Sequence, residues 1–208
     1  MCGRYGTIAP KDEVEVWQRY EMSNKPKIQT TYNIAPTMKG LVVHKNSPNV
    51  GEYLPFGIEA AWKPGMRLIN AKSETVAELR TFSKMFRETR CLIPASFFFE
   101  WQKTEKGKQP MCFKVKGEDM FSFAGIYKPG EGFVILTTEP NSIMEPVHNR
   151  MPCILTKNDE TIWLNPDSDE NKLMELLEPI PSNHMEAYPV SQLVNSPKNQ
   201  TPEVIAPS

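Results

Sequence analysis

The sequence contains no apolar run near the roughly 18 residues that a membrane-spanning helix requires. Its N-terminal region does not read as a secretory signal, because Lys11, Asp12 and Glu13 interrupt it before an apolar stretch develops. Net charge is nearly absent, with 24 basic against 25 acidic side chains, so bulk electrostatics favours neither nucleic acid nor membrane. Cysteine is scarce: Cys2, Cys91, Cys112 and Cys153 are widely separated, without a CxxC or Cys/His ligand spacing. That pattern argues against a disulfide framework or a metal site, and no cofactor is indicated. No repeat, low-complexity tract or linker interrupts the chain. The expectation is one domain over residues 1–208, with a cytoplasmic location.

Proline, by contrast, is plentiful at 19 of 208 residues, about twice the usual ~5 %, and its even spread predicts many short strands and turns. Apolar, β-rich runs read as strands: "GLVVHK", "EYLPFGI", "RCLIPA", "FFFEWQK", "MCFKV", "MFSFAGIY" and "GFVILTT". Gly and Pro punctuate them at "EKGKQP", "KGED" and "KPGEG". Helices are predicted at about 10–22, with Trp17 and Tyr20 inward, and at about 74–88, with Leu79, Phe82 and Phe86 on one face. "TKNDETIWL" opens with a capping-box pattern and "DENKLMELL" is amphipathic. A β-rich centre with helices at the periphery implies an α+β fold around a curved, mostly antiparallel sheet.

Charge is local where it is not global. Seven basic residues fall between Lys63 and Arg90 against three acidic ones, whereas Asp159–Glu186 holds eight acidic residues and Lys172 alone of Lys and Arg. On the predicted second helix Arg80, Lys84 and Arg87 share a side, which reads either as a solvated face or as a phosphate-binding rim.

Four stretches carry polar residues that folding alone does not demand: "MCGRYG", "INAKSET", "FFFEW" and "VHNRMP". Removal of Met1 makes Cys2 the N-terminus, with an α-amine and a thiol side by side. Glu100 stands among aromatics; strand alternation puts it on the face of Phe98 and Gln102, and solvent-facing is the ordinary reading for a glutamate, but burial would suit it to proton transfer. His148 is either a hydrogen-bonded loop residue or an acid–base group. Asn70 ends an apolar strand, where a turn or cap role is the ordinary reading.

Taken in order, Cys-Gly-Arg-Tyr, "YNIAPT", "INAKSET", "CLIPASFFFEW", "VHNRMP" and "YPVSQLVNSPKNQ" resemble the SRAP (SOS-response-associated peptidase) family of abasic-site processing proteins, from residue 2 to about 200. The resemblance implies the single-domain α+β SRAP fold and a role in the DNA damage and SOS response. It implies a monomer with a groove for single-stranded DNA containing abasic sites, and a covalent protein–DNA link through Cys2. Carried over motif by motif, Asn70 would position Cys2, and Glu100 and His148 would handle protons. Arg4, Lys72, Lys84 and Arg150 would line the DNA path, with Trp62 and Trp101 as aromatic neighbours and Asn33 and Pro36 in a bordering loop.

The residue chemistry suits that reading. An α-amine with a pKa near ~7.7–8.0 is partly neutral at physiological pH, unlike a lysine amine near ~10.4. It can condense with the open aldehyde of an abasic sugar, and the adjacent thiol can then close a thiazolidine. Strand cleavage by β-elimination and self-processing peptidase activity are possible side reactions of the same groups. Two other readings are an N-terminal-nucleophile hydrolase and a module that binds modified DNA without covalent chemistry.

Overall fold

In the run 133–136, Phe133 and Ile135 face one way and Val134 and Leu136 the other, and all four are buried. Such a strand must be covered on both faces. The computed structural model describes residues 2–45 and 49–208. Its elements are β1 (Arg4–Thr7), α1 (Glu13–Arg19), β2 (Thr31–Ile34), β3 (Lys39–His44), β4 (Val50–Pro55), β5 (Ile58–Glu59), β6 (Arg67–Leu68) and β7 (Asn70–Lys72). There follow α2 (Ser83–Glu88), β8 (Arg90–Ala95), β9 (Phe97–Thr104), β10 (Gly107–Val115), β11 (Phe121–Lys128) and β12 (Gly132–Thr138). The chain ends with β13 (Met151–Pro152), β14 (Ile154–Leu155), α3 (Lys157–Leu164), α4 (Glu170–Glu175) and β15 (Met185–Pro189), the last followed by 3-10 turns at Gln192–Asn195 and Pro202–Ile205.

Two sheets carry the architecture. One runs β15-β10-β9-β1-β2; the other runs β13-β12-β11-β8-β3-β4, with β7 also paired to β12 and β14 to β11. Among the strands named here, every pairing is antiparallel except β7 on β12. Between the sheets lies a core of Tyr5, Phe98, Phe113, Phe123, Phe133 and Ile135 with Cys2 among them. The helices cover the far face of the larger sheet through Phe86, Trp163 and Leu173. The C-terminal turns cover the outer face of the smaller one, where Phe97 and Phe99 meet Val194 and Val204. The α+β class and antiparallel core read from the sequence are those of the structure.

Arg90 ties helices to sheet. Its buried guanidinium donates to the carbonyls of Phe86 and Arg87 at the end of α2, and to those of Trp163 and Asn165 at the end of α3. A cation there meets the negative ends of two helix dipoles at once. The capping box of α3 is present, with Thr156 and Asp159 bonding reciprocally.

The predicted helices differ. The first is shorter than 10–22, starting at an Asp12 cap. The second divides into a 3-10 turn at Ser73–Thr75, a run of turns, and α2 alone as α-helix. Val76 and Phe82 are both buried. Six residues apart on a helix they would point about 120° apart, so the chain bends to bury both. Leu79, expected inward, is 48 % exposed.

All four cysteines are free and buried. Burial raises each thiol pKa, that of Cys112 to about 11. Below the unfolded value near ~8.5 the thiols are neutral in both states; above it the unfolded chain releases protons that the folded chain retains. Stability against urea should therefore be insensitive to these groups up to about pH 8.5 and then fall as pH rises towards 11. Cys91→Ala and Cys153→Ala should reduce the alkaline slope, by up to ~1.4 kcal/mol per pH unit for each thiol removed. Equal slopes with and without the thiols would contradict this.

Candidate functional site around Cys2

Strand β1 lies in the middle of its sheet, paired to β2 on one side and to β9 on the other. Two contacts explain "MCGRYG". A Cβ on Gly6 would fall 2.3 Å from the Phe97 ring and 2.8 Å from the Thr31 carbonyl oxygen, so only glycine lets the three strands close. Tyr5, wholly buried, reaches across the core to Gly40, where an added Cβ would lie 1.9 Å from its hydroxyl. With Tyr5 and Gly6 so fixed, the chain N-terminal to them runs into the interior, and Cys2 is fully buried. Met1 lies outside the described residues.

The Asn70 side-chain amide donates to the Cys2 carbonyl oxygen at 3.1 Å and to that of Ile135 at 3.3 Å. Its Oδ1 is buried without a hydrogen-bond partner among the described residues. Glu100 is buried, not solvent-facing as a glutamate is by default. It shares the Phe98 side of β9, and that side faces the core between the sheets. Burial, and then the Glu100 charge, push the Cys2 thiol pKa well up; the N-terminal charge and an Arg4 backbone hydrogen bond oppose them weakly. The thiol is therefore neutral at physiological pH.

His148 sits in the loop between β12 and β13. Its Nδ1 lies 3.0 Å from the Arg150 main-chain nitrogen and 3.2 Å from the Arg150 carbonyl oxygen, so it can meet this one residue as acceptor or as donor. Arg150 in turn pairs with Glu74, just after β7, and donates to the Thr137 carbonyl. Met144 and Met151, which flank the loop, pack in the cluster that holds Cys2. Gln102 on β9 also donates to the Pro146 carbonyl, at 3.3 Å. The structure thus brings Cys2, Asn70 and Glu100 together and tethers the His148 loop to the strands that carry them.

The residues assigned to the DNA path separate into two groups. Lys72 is exposed and shares a face of β7 with Asn70. Trp62 is 61 % exposed and, with Arg80 and Lys84, lines a groove of about 680 Å³. Arg87 turns away, to Glu170 and the Ala77 carbonyl, so the expected three-residue stripe does not hold together. Pro36 is half-buried in the turn after β2. Arg4, Trp101 and Arg150 are half-buried and bonded to other parts of the chain: Trp101 Nε1 donates to Asn195 Oδ1 at 2.7 Å, and Arg4 binds the C-terminal segment. Asn33 is wholly buried beneath them, so its amide belongs to packing and not to a surface. The sequence reading missed Glu74, an acid inside a basic stretch, and the partners Asn195 and Gln200.

Fold and site define an α+β protein of two packed sheets with an N-terminal cysteine enclosed between them. Residues 1–197 match the family model for the SOS response associated peptidase (SRAP), and the chain belongs to that family. It is 39 % identical to the abasic site processing protein YoqW of Bacillus subtilis, over 99 % of both chains. It is 27 % identical to YedK of Escherichia coli, which bears the same descriptive name, over the full length of both. A crystal structure of a Bacteroides thetaiotaomicron protein superposes with a TM-score of 0.84 at 25 % identity, over all of both chains.

Because the Glu100 charge helps hold the thiol neutral, Glu100→Gln should lower the Cys2 pKa. Alkylation of Cys2 by iodoacetamide at pH 8 should then speed up by roughly two- to tenfold, since one pKa unit is a factor of ten in thiolate. An unchanged or slower rate, followed by peptide mass, would remove Glu100 from the electrostatics of the site.

Proposed function

We propose that this chain processes abasic sites, capturing the lesion in single-stranded DNA as a covalent thiazolidine on Cys2 once Met1 is removed. The observation that carries the reading is Cys2 itself, anchored by Asn70 and set against the buried Glu100, in a family whose relatives are named abasic site processing proteins. The α-amine attacks the open aldehyde; the carbinolamine loses one water and becomes an imine. The Cys2 sulfur then adds to the imine carbon, the C=N electron pair passes to nitrogen, and the thiol proton is relayed by a base to that nitrogen. Glu100 carries that proton, while His148 serves ring opening and loss of water.

A neutral thiol fits this order. The amine acts first, so no preformed thiolate is required, and closure is intramolecular. An N-terminal-nucleophile hydrolase, in which the α-amine serves as base for the thiol, would instead turn over and release product, whereas capture gives one adduct per protein. Lys72 beside Asn70, and Trp62 with Arg80 and Lys84, supply charge and a stacking surface for the strand.

Processed protein mixed with an abasic single-stranded oligonucleotide should give a one-to-one adduct that survives denaturation. Cys2→Ala should leave only an imine that requires borohydride for trapping, and protein retaining Met1 should give no adduct. A stable adduct from Cys2→Ala without reductant would contradict the thiazolidine. Lys84→Ala should weaken single-strand binding for all sequences and reduce the log–log salt slope by about 0.7. An unchanged slope would make Lys84, which is 3.8 Å from Glu88, an ordinary solvated residue.

A further inference from the structure

The ladder that fixes β1 stops short of the nucleophile. The pairing with β9 ends at Arg4↔Phe99, and that with β2 begins at Tyr5↔Ile34. Beyond Arg4, Cys2 is anchored through its carbonyl by Asn70. What holds Arg4 therefore determines how firmly the chain is delivered to Cys2. Arg4 Nη1 donates to Asn33 Oδ1 at 2.9 Å and to the Val194 carbonyl at 2.7 Å, and Nη2 to the Asn195 carbonyl at 3.1 Å. All three acceptors are neutral, so they fix the guanidinium without cancelling its charge.

Asn33 is the hub of this arrangement. Fully buried, it accepts from Arg4 with Oδ1 and donates with Nδ2 to the Val194 and Ser196 carbonyls, both at 3.0 Å. Its main chain is bound in both directions by the Gln200 side chain, at 3.1 and 3.0 Å. Trp101, 5.9 Å from the Arg4 guanidinium carbon, is held to the same segment through Asn195. Residues 191–200 thus form a strap across the outer face of β1, closed on Asn33 and gripping Arg4.

We propose that Arg4 and Asn33 are positioning residues, and that together with the strap they hold the N-terminal strand so that Cys2 stays in register with Asn70 and Glu100. This rests on the reading of Cys2 as the capturing residue. It differs from a phosphate contact in what Arg4 must be. A phosphate tolerates lysine, whereas three acceptors around one planar fork do not.

Arg4→Lys therefore separates the two roles. The maximal rate of adduct formation at saturating abasic DNA should fall by about 10- to 100-fold, as small misplacements of a reacting group do, while the half-saturating DNA concentration stays within about threefold. Iodoacetamide should alkylate Cys2 about tenfold faster or more, located by peptide mass, because the clamp no longer keeps it enclosed. Gln200→Ala, which leaves the Arg4 charge in place, should shift both rates in the same direction and guards against a folding defect in the first variant. A raised half-saturation with unchanged maximal rate and unchanged alkylation would make Arg4 a phosphate contact and overturn the proposal. If wild-type protein forms no adduct, the capture reading fails by itself. The alkylation rates then decide the clamp alone: faster in both variants sustains it, unchanged overturns it.

Discussion

A strand that begins at residue 4 and lies in the middle of a sheet can be accommodated only if its neighbours leave room for it. Gly6 provides that room beneath Phe97, and Gly40 provides it beneath the Tyr5 hydroxyl. Once β1 is seated between β2 and β9, the residues before it enter the space between the two sheets, and a cysteine at position 2 becomes one of the most enclosed residues in the protein. Removing either glycine asks backbone and ring atoms to move in a close-packed interior, at a cost of about 1–3 kcal/mol in typical cores.

Enclosure sets the electrostatics of the site. The thiol is kept protonated by burial and by Glu100, which suits a sulfur that acts second, after an amine, and protects it from indiscriminate oxidation or alkylation. Basic groups are handled in two ways. Arg150 is paired with Glu74 and spends its charge tethering the His148 loop, and Arg4 is bound by neutral carbonyls and an amide. Lys72, Arg80 and Lys84 remain at the surface.

Much of the fold was legible. "RCLIPA" and "GFVILTT" are β8 and β12 to the residue, because apolar, β-branched runs bounded by turn residues leave few alternatives. The span 74–88 was misread because its apolar spacing mimicked a helix, although Val76 and Phe82 are buried by a bend that only the tertiary fold dictates. Glu100 was legible as unusual but not as buried: a single strand does not reveal that both of its faces are covered. Arg4 and Asn33 were recognisable as motif residues, yet apart from the bond between the two their partners lie more than 160 residues away in the chain. No local pattern encodes a contact of that kind.

The central claim is that amine and thiol of one residue jointly hold the lesion. Digestion of the DNA adduct, followed by tandem mass spectrometry of the N-terminal peptide, tests it most directly. The account predicts a modification confined to Cys2, equal to the abasic strand remnant less one water, with a sulfur that iodoacetamide no longer alkylates. An adduct on a lysine, or one on Cys2 whose thiol still alkylates, would contradict it.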